Sequence, residues 1–500
     1  STPAPLAASM KADLPGIRQT CRTTEQSTNA LFTIGDKTLY ASGIYADASL
    51  FDIFTFPFAE GSAVNAFRQL YAIVITEKTA RKFFGNEKHV VGKTIMVDNK
   101  QPYIVSGVIK DIPENSSLQF EWVAPFEIYF RQNPYLSGWD ANSISTYAEL
   151  ENNADLNGIN KALHNYIQQH TPGAINHAFL ISMNDWRLHS RFENGRQSGG
   201  RIEYVHLFSL IAWIILFIAC INFMNLSTAR SEKRAKEVGI RKVMGAGKGR
   251  LITQFITEAL FMSLLAAGIA VLLLLLVLPA FNALVNKHLS AGLDKPAHIL
   301  WLLITTVICG GVAGSYPSLY LSSFNPVFVL KGVKLKTGSA AMIRKGLVVA
   351  QFSISIILII CTVIIYQQIQ HAKDRNLGFN KDNLISINTQ GNMVQNFPAI
   401  KTALLATGMV QNAALADHTT IYGGNNTNSL DWAGKPASDK ILISQRLVSP
   451  EFISTSGMQL ISGSDFKPVA ASNGMNVLIT ESLEKLMGKG SAVGKILLTP

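Results

Sequence analysis

A Gly-Lys pair set among glycines, Gly245-Ala246-Gly247-Lys248-Gly249, is the first feature of this 500-residue chain that could do chemistry. Glycines around a lysine can cradle phosphates. A phosphate loop, however, needs a glycine five positions before the Gly-Lys pair and a Ser or Thr after it. Lys242 and Gly249 stand there instead, so no hydroxyl is placed for magnesium. The preceding segment reads as a charged helix, not the buried strand such a loop leaves. The other reactive side chains fare no better. His164, His170, His177 and His189 are scattered, without a His-x-x-x-His pair backed by a carboxylate. Asp417 and His418 are adjacent but have no placed nucleophile, and no Gly-x-Ser-x-Gly elbow occurs. Cys220, Cys309 and Cys361 lie in apolar runs and Cys21 stands alone, which gives neither a disulfide framework nor a Cys-x-x-Cys site. No catalytic, cofactor or metal site is expected.

The elements that hold the Gly-Lys stretch are membrane spans. Only 15% of residues are charged and 48% are hydrophobic, against about 25% charged in a soluble protein. Four runs, 205–226, 251–278, 298–323 and 346–369, are long and apolar enough for a bilayer, which takes about 20 residues. The segment 227–250 carries Arg230, Lys233, Arg234, Lys236, Arg241, Lys242, Lys248 and Arg250 against Glu232 and Glu237. The segment 324–345 carries Lys331, Lys334, Lys336, Arg344 and Lys345 and no acid. Together they account for the whole net charge of +11. Short basic loops stay in the cytoplasm, which puts 1–204 and 370–500 outside. Charge that hugs the membrane argues for lipid headgroups, not nucleic acid. With residue 1 outside and no span before it, a preceding span is expected beyond this sequence. Pro317 should kink the third span.

The outer segments contain a repeat. Residues 72–97 (AIVITEKTARKFFGNEKHVVGKTIMV) and 476–498 (NVLITESLEKLMGKGSAVGKILL) both predict strand, Thr-capped helix, glycine, turn, Val-Gly-Lys and strand. Thr76 and Thr480 are the expected N-caps, Gly85 and Gly488 the helix stops, and Phe83 and Phe84 match Leu486 and Met487 on the buried face. The second copy reaches Pro500 before a counterpart of the next strand, so an incomplete second domain is expected. Leu156, Ile159, Leu163 and Ile167 predict a helix over 154–170, and AFLIS (178–182) a strand. Mixed α/β domains follow from these patterns.

Between the first two spans, Ser227 to Met244 reads as a separate helix, capped by Ser227 or Thr228 and ended by Gly245, with Gly247 and Gly249 forming a turn. Ala235, Val238 and Met244 give it a narrow apolar stripe. Spacing alone is equally satisfied by a basic helix lying on lipid headgroups. Glu258 falls about 10 Å into the second span at 1.5 Å per residue, within range of Arg250 or another base of the basic segment.

Four stretches add a resemblance. CINFMNLSTARSEKRAKEVGIRKVMGA (220–246), GGVAGSYPSLYLSSFNPVFVLKG (310–332), IRKGLVVAQFSISIILIICTVIIYQQIQHAKDRNLGF (343–379) and STPAPLAASMKADLPGI (1–17) are similar to FtsX/MacB-type (type VII) ABC transporter permeases of the long, two-halved form. The resemblance implies an α-helical integral membrane protein of the inner membrane with two mixed α/β periplasmic domains. It places the first domain at 1–204, an FtsX-like region at 205–345 with a cytoplasmic coupling helix at 227–247, the opening span of the second half at 346–369, and a truncated second domain at 370–500. The pattern Glu-x-Gly-Ile-Arg-Lys-x-x-Gly-Ala falls on Glu237, Gly239, Ile240, Arg241, Lys242, Gly245 and Ala246. In the family these positions couple the permease to a separate cytoplasmic ABC ATPase dimer, which drives motion of the periplasmic domains. The resemblance also implies a pseudo-dimer or homodimer, and a periplasmic adaptor or hydrolase as further partner. An FtsX-like regulatory scaffold that controls a periplasmic enzyme is the alternative to transport.

Overall fold

A computed structural model describes residues 1–87, 89–193, 196–322, 338–419, 425–436, 441–466, 475–488 and 490–498; within helices, the side chains of 228–236, 320–321, 338–341 and 343–344 are not described. Lys331, Lys334 and Lys336 of the second basic segment thus lie outside the described residues. The chain forms two compact units, one of Ser1–Arg187, Phe192–Arg196 and Asn376–Pro500, the other of Leu188–Arg191 and Gln197–Arg375.

The first outer segment runs β1 (Thr2–Pro3), α1 (Pro5–Asp13), β2 (Ile17–Thr24), β3 (Thr28–Ile34), β4 (Lys37–Ala46), α2 (Leu50–Ile53), β5 (Phe58–Gly61), β6 (Ala72–Thr76), α3 (Glu77–Phe84), β7 (Thr94–Val97), β8 (Gln101–Ile109), β9 (Trp122–Pro125), α4 (Phe126–Gln132), β10 (Asn142–Leu150), α5 (Leu156–Leu163), α6 (Tyr166–His170) and α7 (Met183–Trp186), then the short strands β11 (Arg191–Glu193) and β12 (Arg196–Gly199). Six strands close into a ring through the pairs β3–β4, β3–β7, β7–β8, β8–β6, β6–β9 and β9–β4. Every residue of β6 and β9 is buried, because the strands have a core on each face. One face gathers Phe32, Tyr45, Ile73, Ile75 and Trp122, and the other Ile44, Val74, Ile109 and Val123. This alternation is the period of two that a strand imposes.

Trp122 anchors the first of these cores. Its ring lies 5.3 Å from Tyr45 and 5.8 Å from Phe32, and its Nε1 donates to the Ala41 carbonyl at 2.9 Å. Gly43 makes room for it: a Cβ there would stand 2.1 Å from the indole. Beside the ring, β10 and β2 extend the sheet. A layer of α1, α5 and α6 buries Leu6, Met10, Ile159, Leu163 and Ile167 against it.

Local details of this outer segment depart from expectation in two places. The helix of 154–170 breaks at His164–Asn165 into α5 and α6. AFLIS is not a strand: the Asn160 side chain takes its backbone groups, accepting from Leu180 N at 2.6 Å and donating to Leu180 O at 3.0 Å. No ladder partner is then needed.

The second unit is four helices: α8 (Arg201–Val243), α9 (Lys248–Val285), α10 (Pro296–Ser322) and α11 (Gly338–Asp374). Each contains a segment long and apolar enough to cross a membrane. The separate helix expected to begin at Ser227 or Thr228 is instead the end of α8, which runs unbroken for 43 residues. A Ser or Thr caps only where the backbone leaves the helix; here α8 continues through both. Pro279 lies inside α9 and Pro317 inside α10, which stays helical to Ser322. α10 packs closely on α9 at two glycines four apart: a Cβ on Gly314 would meet Ala259 Cβ at 2.7 Å, and one on Gly310 the Leu260 side chain at 2.9 Å. Such spacing lets helix backbones approach in lipid. Ser263 Oγ adds a bond to Thr306 O at 2.9 Å.

The second outer segment holds α12 (Phe397–Ala406), β13 (Asn425–Thr427), β14 (Asp431–Trp432), β15 (Ile443–Gln445), α13 (Phe452–Ser456), α14 (Glu481–Leu486) and β16 (Leu497–Leu498). The two repeat copies share their caps. Thr76 accepts from Thr79 N and Thr480 from Leu483 N, and Gly85 and Gly488 both take positive φ, +66° and +94°. The buried pairs are Thr79 with Phe83 and Leu483 with Met487, each three and seven positions past its cap. Leu486 is 57% exposed, so it does not join that face, and its helical position matches Lys82. Residues 476–479 are not a strand. β6 is one because β8 and β9 pair with it, and no such partner flanks 476–479 among the described residues.

Three outcomes follow. Gly43→Ala should destabilise the outer unit by about 1–3 kcal/mol or more through overpacking against Trp122, read as faster limited proteolysis of detergent-solubilised protein. Gly314→Ala should lower the thermal unfolding midpoint of the membrane unit, while Gly311→Ala, which meets nothing within 4 Å, should leave it unchanged. The third concerns alkali. Burial, then the Asp47 carboxylate, push the Cys21 thiol from an ordinary 9.0 up to about 12. The fold thus holds the neutral thiol. That stabilisation is present below pH 9 and is lost as pH rises from 9 towards 12, by at most about 1.4 kcal/mol per pH unit. Denaturation midpoints at pH 8 and 10 should fall in the native chain and fall less in Cys21→Ala.

Candidate functional site: the inner helical elbow

The stretch that carries the Gly-Lys pair is the elbow between α8 and α9. At the end of α8, Gly245 N–H donates to Lys242 O at 3.1 Å and Ala246 N–H to Arg241 O at 3.0 Å. This is the double closure of a helix by a left-handed glycine. Gly245 has φ +94°, which a side chain would strain. The expected stop at Gly245 is where the structure ends the helix. Gly247, at φ −69° and ψ 154°, is the N-cap of α9. Lys248 opens α9 and Gly249 lies inside it, so Gly249 is not part of the turn. The turn spans 244–247 only, and a helix, not a strand, leads into it.

The last turn of α8 has two faces. Val238 and Gly239 are buried, and Arg241 and Lys242 are half-buried. Ile240, Val243 and Met244 are 50%, 64% and 75% exposed. At 100° per residue these three occupy one arc and the other four the opposite arc. Three neighbouring apolar side chains thus point away from the protein at the tip of a basic segment.

Arg241 and Lys242 face inward and are engaged there. The Arg241 guanidinium donates from Nη2 to Glu237 Oε1 and from Nη1 to Gln254 Oε1 on α9, both at 2.7 Å. Lys242 Nζ donates to the carbonyl of Ser322, the last residue of α10, at 2.6 Å. Burial, then the charge of Lys248, pull the Lys242 amine below its ordinary value. Ala246 is half-buried in the turn. Glu258 and Arg250 stand eight residues apart on α9, about 12 Å along its axis; of the other expected partners of Glu258, the bases Arg230, Lys233, Arg234 and Lys236 have side chains outside those described. Met244, expected on one stripe with Val238, instead faces out while Val238 is buried, because the two lie about 120° apart around the helix end; the sequence did not disclose Gln254 or Ser322. Nor was the packing of Gly310 and Gly314 foreseen, although their Gly-x-x-x-Gly spacing was there to be read.

The histidines sit elsewhere. His164 and His177 stack at 4.1 Å, and His177 Nδ1 lies 2.7 Å from His164 O. Asp417 Oδ1 lies 3.2 Å from His418 Nδ1, and His418 Nε2 accepts from Asn425 N at 3.0 Å, so one ring nitrogen faces a carboxylate and the other holds the backbone. Among the described residues, no three His, Cys, Asp or Glu side chains converge as a metal would require.

Comparison with known proteins gives two family matches. Residues 209–326 match the FtsX-like permease C-terminal model and residues 1–166 the MacB-like periplasmic core domain model. The macrolide export ATP-binding/permease protein MacB of Salmonella paratyphi A is 25% identical over 47% of this chain and 35% of its own length. The pyoverdine export ATP-binding/permease protein PvdT of Pseudomonas savastanoi pv. phaseolicola is 25% identical over 56% of this chain and 41% of its own. The chain thus spans well under half the length of these relatives. Among solved structures, a domain of a putative permease protein from Porphyromonas gingivalis is 24% identical with a TM-score of 0.29, covering 33% of this chain and 69% of its own. The periplasmic region of MacB from Actinobacillus actinomycetemcomitans is 16% identical with a TM-score of 0.27, over 34% and 74%. With an FtsX-like permease domain matched over the first three candidate spans and a MacB-like periplasmic core domain before them, the chain is similar to FtsX/MacB-type ABC permeases and is a multi-pass inner-membrane protein with periplasmic domains.

Proposed function

We propose that the chain is the permease subunit of an ABC exporter, and that it transmits ATP-driven motion to its periplasmic domains. The ATP is hydrolysed by a separate cytoplasmic ATPase dimer that grips the α8–α9 elbow. One observation carries this reading: the exposed Ile240, Val243 and Met244 face at the inner end of a helix that is unbroken from the outer side of the membrane. A water-exposed apolar face of this size is costly unless a partner covers it, and a short amphipathic helix end suits a groove. The names of MacB and PvdT join ATP binding to a permease and to export, which supports an exported substrate here. This stretch does not fit a phosphate loop, since Lys242 and Gly249 stand where a glycine and a hydroxyl are needed and a helix, not a strand, leads into it.

Within this reading, Ile240, Val243 and Met244 are the anchors. Gly239 and Gly245 shape the helix end, and Glu237, Arg241, Lys242 and Ala246 hold it in place. A coupling helix built as the tip of a span needs no separate joint: a push on the tip is a push on the span. Two periplasmic domains moved in this way could extrude a substrate or extract it from the membrane.

The test is co-purification of the full-length chain with its ATPase. Ile240→Asp and Met244→Asp should each weaken association by at least tenfold, about 1.4 kcal/mol or more, with unchanged expression in the membrane. Association equal to that of the native chain in both variants would remove the docking role.

A further inference from the structure

The two basic side chains of the elbow use their donors inside the protein. Arg241 ties α8 to α9 through Gln254, and Lys242 ties α8 to the end of α10 through Ser322. Consecutive residues on one helix end thus hold two different spans. The Lys242 contact is charge-assisted, its ammonium donating to the Ser322 carbonyl at 2.6 Å. Arg241 reaches Gln254 and Glu237 together because a guanidinium presents its donors as a planar fork. The covalent link is by contrast soft. Gly245 and Gly247 meet nothing within 4 Å of their Cβ positions, so no side chain packs the turn at these two residues.

We propose that Arg241 and Lys242 are positioning residues that carry displacement of the elbow into α9 and α10, and that they do not contact the ATPase. This rests on the reading of the elbow as the docking site. It divides the Gly-Ile-Arg-Lys-Val-Met stretch by face. The outward apolar residues receive the partner, and the inward basic residues pass its motion to the second and third spans. A displaced elbow with both bonds intact drags α9 and α10 with it. Without them, the glycine turn swings and α8 moves alone.

The experiment uses the full-length chain with its ATPase in lipid nanodiscs and the variants Arg241→Gln, Lys242→Met and Gln254→Ala. Each variant should co-purify the ATPase within twofold of the native chain. Each should reduce permease-stimulated ATP turnover, and the ATP-dependent change in protease accessibility of the outer domains, at least fivefold. Lys242→Arg, which keeps a cationic donor beside the Ser322 carbonyl, should restore most of both. Gln254→Ala tests the α9 bond with α8 unaltered, should either substitution on α8 prevent folding. Loss of the ATPase from Arg241→Gln or Lys242→Met, at an unchanged thermal midpoint, would make these residues docking contacts and overturn the proposal. Unchanged turnover in all three would overturn it as well. Retention of the ATPase by Ile240→Asp and Met244→Asp would instead remove the docking reading, and this inference with it.

Discussion

A bilayer interior offers no hydrogen-bond partner to a peptide group, and the inner half of this protein follows from that. Every backbone donor and acceptor that enters lipid must be satisfied within its own helix. A helix crosses the hydrocarbon in about 20 residues, yet α8 has 43 and α9 has 38. The excess cannot be spent inside the membrane, so it emerges as helix. At the inner side the two helices meet in a turn of four residues, and the basic segment that holds the chain in the cytoplasm is largely the protruding end of the spans themselves.

The elbow is consequently a folded object with an inside and an outside. Its inside is made of side-chain bonds to two neighbouring helices, and its outside of uncovered apolar groups. Exposed ion pairs contribute little, well under about 1 kcal/mol each, so Glu237–Arg241 alone would not fix the geometry. The bonds to Gln254 and to the Ser322 carbonyl matter more because they bridge separate helices.

Much of this was legible in the sequence, where the signal is local. The spans, the stop at Gly245 and the caps Thr76 and Thr480 all depend on residues within a turn or two of each other. Where the structure departs from the pattern, the deciding contact is remote or needs a register that the pattern leaves open. Ser227 and Thr228 are good caps, but whether a helix pauses there depends on the segments before and after it. Leu486 and Lys82 hold the same position after their Thr caps, and counting back from the glycine instead of forward from the cap placed Leu486 on the wrong face. The closed ring of strands rests on Gly43 accepting Trp122, which lies 79 positions later, and no local reading could pair them. Arg241 and Lys242 look like solvent-facing charges in the sequence, and only the packing of three helices turns them inward.

The closed ring has a mechanical consequence. In an open sheet an edge strand can be unzipped one hydrogen bond at a time, so repeated pulling on a terminus peels it away at low force. A strand in a ring is bonded on both sides. To free any one of β3, β4, β6, β7, β8 or β9, at least two ladders must yield together while Trp122 is still lodged against Gly43. A domain built this way responds to cyclic tugging as a single rigid block and tires slowly.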